Sequence, residues 1–196
     1  LGESADCTDG TAGTVVGFTV DRSMRTMLAV AVEPPQRPGG ARLVPVRLVE
    51  RAGRDGIRLG IDLAGYHGLE RFRFIRFMHD DPIAGDAGPR QDPAPASPNR
   101  RLATFVSRAP EGQMLVRRDT AVLAGRRAVG SLAGADADAL GLMRGLSVLA
   151  LDLRREVAIP MAVIDGAGEA AIRTLLSPRE FAKLPETDVG RRRRAA

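Results

Sequence analysis

Cysteine, lysine, histidine and aromatic residues are almost missing from this sequence, and each shortage removes a class of chemistry. A single cysteine, Cys7, excludes an intramolecular disulfide and any cysteine-based metal cluster. Without a paired base it reads as a buried, inert thiol in the first strand. Two histidines, His67 and His79, are too few for a transition-metal site, which draws several ligands from His or Cys. There is no Trp and one Tyr, and aromatics make up 4% of the 196 residues, so little material exists for a base-stacking platform. No apolar run reaches the roughly 20 residues that span a bilayer. The polar, acidic first residues do not read as a signal peptide. These shortages point to a reducing, cytoplasmic setting. They also point away from an enzyme: we expect no catalytic residue, no cofactor and no metal.

Gly (22), Pro (13) and Arg are plentiful, so turns are frequent. Every cationic residue but Lys183 is Arg, and the net charge is +5. A basic excess can serve nucleic acid or an anionic surface. Here it is spread thinly: +2 over residues 1–78, −2 over 79–100, +3 over 101–185 and +2 over 186–196. Neither half is strongly basic, and an Arg-rich coding bias accounts for the total. Two stretches are the candidate macromolecule contacts. In "ERFRFIRFM", residues 70–78, Arg71, Arg73 and Arg76 alternate with phenylalanines that could stack bases. A strand with Phe turned inward and Arg in solvent is the simpler reading. The basic end, Arg191, Arg192, Arg193 and Arg194, could meet RNA or an anionic lipid, or be a solvated tail.

The glycines of "DGTAGTVVGFTVD", residues 9–21, invite a phosphate-loop reading. A dinucleotide fingerprint needs G-x-G-x-x-G between a strand and a helix. Ala12 stands where the second glycine should be, and a β-branched strand follows. The Gly-Lys-Ser/Thr of a P-loop is absent. These glycines fit tight turns and close strand approach instead.

Residues 79–101, "HDDPIAGDAGPRQDPAPASPNRR", are too poor in large apolar side chains to offset their ordering entropy, and read as a flexible, disordered linker. The sequences on either side resemble each other. Pro45 matches Pro160, and the same offset of 115 pairs Val44 with Ile159, Ile57 with Ile172, Tyr66 with Phe181 and Leu69 with Leu184. Upstream, "AGTVVGFTVD" lies over "VGSLAGADAD" at an offset of 117. Each copy reads as five or six short strands and a C-terminal helix, begun by Asp62 in the first and by Ser177-Pro178 in the second. The expected core holds Val44, Val46, Ile57 and Leu59 in the first copy and Ile159, Met161 and Ile172 in the second. The divisions are then residues 1–78, a linker at 79–101, residues 102–185 and a basic disordered tail at 186–196. The fold class is mainly β, as a tandem repeat of two small β-barrels.

A G-x-V strand ending in Asp, an apolar strand after it, a "VP" or "IP" dipeptide in a β-run, a turn followed by an "I-R-L" strand, and a short helix ending in "LP" carry a resemblance to the PRC-barrel family. Related barrels occur in the H subunit of the photosynthetic reaction centre and in the ribosome maturation factor RimM. The resemblance implies two PRC-type barrels and a binding role. The partner expected is another protein, with the chain as adaptor or scaffold and homo-oligomers through barrel edges as a further outcome. The alternative it implies is an RNA- or ribosome-associated factor.

Overall fold

The computed structural model describes residues 1–35, 40–53, 56–72, 109–118, 120–151, 155–168 and 171–187. The proposed linker at 79–101, Arg73, Arg76 and the four terminal arginines lie outside these residues.

The structure is mainly β, in two sheets with one strand order. The first runs β4-β3-β2-β1-β6-β5, with β1 Ser4–Asp6, β2 Thr11–Asp21, β3 Met27–Glu33, β4 Arg42–Pro45, β5 Val49–Gly53 and β6 Gly56–Leu59. β7, Gln113–Arg117, joins this sheet. The second runs β11-β10-β9-β8-β13-β12, with β8 Ala121–Ala124, β9 Arg127–Ala137, β10 Met143–Ala150, β11 Glu156–Pro160, β12 Ile164–Ala167 and β13 Ala171–Thr174. In each copy the first and last strands pair in parallel, β1 with β6 and β8 with β13, and the other neighbours are antiparallel. Each sheet's edge strands are consecutive in the chain, joined by one 3-10 turn, Val46–Leu48 or Met161–Val163. Pro45 and Pro160 stand immediately before these turns, with φ of −53° and −69°. Proline's fixed φ suits the corner, and on an edge strand its missing N–H costs no ladder bond.

The glycines share a steric cause. A Cβ on Gly13 would lie 2.0 Å from the Glu33 carbonyl oxygen, and one on Gly130 would lie 2.5 Å from that of Leu149. At this crossing the backbone of β3 or β10 lies where a side chain would stand. The turn after β2 repeats too. Asp21 accepts from the Arg25 and Thr26 N–H groups at 2.9 and 3.1 Å, and Asp138 accepts from Leu140 and Leu142 at 3.0 and 2.9 Å.

Short helices follow each sheet: α1, Leu63–Gly68, capped by Asp62, and α2, Pro178–Ala182, begun by a full capping box of Ser177 and Glu180. Tyr66 and Phe181 turn their rings into the two cores. Val44, Leu59, Ile159 and Ile172 are fully buried, as the pattern implies, whereas Val46, Ile57 and Met161 are only partly so. Leu69 and Leu184 pack against their respective cores. The chain then turns back along the edge: Phe72 N–H donates to Ala41 O and Thr187 N–H to Glu156 O, both at 2.7 Å. Glu186 and Thr187, read from composition as the start of the tail, therefore belong to this pairing.

The halves interlock. β7 follows the linker in sequence yet pairs antiparallel with β2, from Gly17↔Arg117 to Asp21↔Gln113. Phe18, Val20 and Met24, all from the first copy, are buried in the core of the second, with Val116 beside them. Met27 N–H donates to Gly141 O at 2.7 Å, and Met143 N–H to Arg25 O at 2.8 Å.

Candidate functional site

Of the seven arginines singled out in the sequence, the described residues include only Arg71. Its side chain is exposed, while its backbone forms an isolated bridge with Arg42. Its neighbour Phe72 is buried against Ala31 and Ala41. This aromatic is therefore a packing residue, not part of an exposed stacking surface.

Two arginines that the sequence did not single out have internal roles. The Arg42 guanidinium donates to the Leu69 carbonyl and lies 5.8 Å from the centre of the Tyr66 ring. Arg155 donates to the Leu184 and Ala182 carbonyls, each at 2.5 Å. Leu69 and Leu184 are equivalent positions, so each copy ties the end of its helix to the sheet with one arginine. The two arginines differ by 113 in number, not 115, and this hid the match. The forked guanidinium suits the task because it reaches several carbonyls without needing an anion.

The titratable groups of the first core are held in their neutral forms. Burial pushes the Cys7 thiol up, and Asp9, Asp62 and Asp6 add to the effect, so the thiolate a nucleophile needs is disfavoured. Burial likewise pushes Tyr66 up to about 12, against an opposing pull from Arg42. Its hydroxyl donates to Val32 O at 2.9 Å. His67 is exposed on α1. Among the described residues, no group of three or more His, Cys, Asp or Glu side chains could hold a metal ion.

A cavity of about 370 Å³ opens at the mouth of the first core. Val15, Phe18, Val30, Val49 and Ile57 line it, together with a wall of residues 134–138 from the second copy. Its volume lies within the range of ligand pockets, and its polar groups are few. Glu3, Asp136 and Asp138 also line it. The wall is a strand with one side taken. β10 pairs with β9 as far as Ala137, whereas β8 pairs only as far as Ser131. On that second side Leu132 N–H reaches Thr120 O, and Ala133 O accepts from the Leu1 amino group, both at 2.9 Å. Beyond Ala133, no described strand pairs with this edge.

No protein-family model matches this chain, and no curated protein matches it. Among the described residues, no helix is long and apolar enough to cross a membrane.

Proposed function

We propose that this chain is a non-catalytic adaptor that binds another protein, built from two barrels of PRC type and working in the cytoplasm. One observation carries the reading. β2 accepts β7, a strand from outside its own repeat, and the pair forms a five-residue ladder. A fold that takes a strand in this way is suited to recognition by strand addition, where backbone hydrogen bonds supply affinity and side-chain pockets supply specificity. The joined edge strands of each sheet agree with the barrel reading. Arg42 and Arg155, spent on carbonyls of their own chain, take two cations away from any anion-binding face.

The test is capture from cell extract by the full chain, with and without nuclease. The adaptor reading expects partners that survive nuclease. Partners lost on nuclease treatment would favour the RNA- or ribosome-associated alternative.

A further inference from the structure

The two copies differ most at their mouths. In the second, Phe18, Val20 and Met24 enter the core beside Val116, with Met114 packed against them. They share that core with Leu132, Leu146 and Ile172. The counterparts of Leu132, Leu146 and Ile172 in the first copy are Val15, Val30 and Ile57, which line the cavity. The counterparts of Phe18, Val20 and Met24, 117 residues on, are Ala135, Ala137 and Gly141. Every large plug is replaced by a small residue. Register confirms the match: Phe18 lies opposite Val30, and Ala135 lies opposite Leu146. The place equivalent to β7 is the outer edge of β9 at residues 134–138, where no described strand lies.

We propose that this edge and cavity bind an extended segment of a partner protein, added antiparallel to β9, with two apolar side chains at alternate positions entering the cavity and a basic residue at the rim. The inference rests on the adaptor reading and names its site. β7 shows what fits such a place. Val116 and Met114, two positions apart, turn into the core, while Leu115 between them packs on the opposite face with Val16 and Leu43. Backbone groups left by an unpaired strand edge attract another strand. The carboxylates of Asp136 and Asp138 line the same cavity and favour a basic segment. Ala135 and Ala137 present only methyl groups where they line this cavity.

The probe is the synthetic peptide GQMLVRR, the sequence of residues 112–118, titrated into the isotope-labelled full chain and followed by NMR. We expect saturable shifts at the amides of residues 134–138 and at the methyls of Val15, Val30 and Ile57. A peptide with serine at the positions of Met114 and Val116 should bind at least tenfold more weakly. The double variant Ala135→Phe, Ala137→Val restores the plugs, so it should raise the thermal midpoint and weaken peptide binding at least tenfold. Ala135→Arg should also block binding, and it serves if the double variant misfolds. No saturation by millimolar peptide, equal binding of the serine peptide, or shifts confined to another surface would overturn the site. Nuclease-resistant capture that is the same for the native chain and the plugged variant would sink this site and leave the adaptor reading standing. Peptide binding without any nuclease-resistant capture would leave the site standing and sink the adaptor reading.

Discussion

Tyr66 is the one tyrosine, and the chain has no Trp, so its ionisation can be followed by absorbance without interference. Its phenol is pushed up to about 12 by burial, from an ordinary value of 10.0. A raised folded-state value means that the stabilisation is complete below pH 10 and is lost as pH rises toward 12. We expect the native tyrosinate midpoint near 12 and a return to the ordinary value in denaturant; a native midpoint near 10 would place the ring in water. Asp21 has the opposite sign. Burial opposes its ionisation, but hydrogen bonds from Ser23, Thr26 and Arg25 outweigh it, and the carboxyl lies below its ordinary value of 3.8. Its stabilisation is present above that value and is lost as acid takes the pH through the lowered one. Asp21→Asn should therefore flatten the acid limb of a stability profile measured from pH 7 downward. Cys7 should resist thiol reagents in the native state and react once the chain is unfolded, since it is 2% exposed and its thiolate is disfavoured.

At the scale of elements, the arginine ties and the paired glycines are the parts most open to mutation. Arg155→Ala removes two hydrogen bonds to helix-end carbonyls, and we expect a loss of about 2 kcal/mol in denaturant unfolding. Arg155→Lys should recover only part of this, because an ammonium lacks the fork. Gly13→Ala drives a methyl into the Glu33 carbonyl and should cost more than about 1 kcal/mol. Much of this level was legible in the sequence. The 115-residue offset pairs Pro45 with Pro160 and Tyr66 with Phe181, and the chemistry of Asp62 and Ser177 marks both helix caps, because each answers a local need: a corner, an inward ring, an unsatisfied N-terminus. β7 was missed. "QMLVR" has no turn pair beside it and no match in the first copy, so only its partner, β2, makes it a strand. The repeated apolar pattern puts Ile57 in the core, like Ile172. It is only partly buried because the cavity lies beside it, and the emptier mouth of the first copy is a tertiary fact.

At the scale of the whole molecule, two copies of one strand order are locked by elements that cross between them. The cavity could have been suspected from the sequence by setting Phe18, Val20 and Met24 against Ala135, Ala137 and Gly141. That comparison gains meaning only once the second half of β2 is known to serve the other copy's core. The interlock means that neither half should behave as an independent unit. The most direct test is residue-resolved hydrogen exchange on Phe18→Ala. Removing a buried Phe costs about 3–5 kcal/mol where its neighbours are fixed. Phe18 belongs to the first copy in sequence and to the second in packing. We predict that protection falls across β10, β11 and β13, at Leu146, Ile159 and Ile172, as well as in β2 and β7. Loss of protection confined to the first copy, with the second unchanged, would contradict the account.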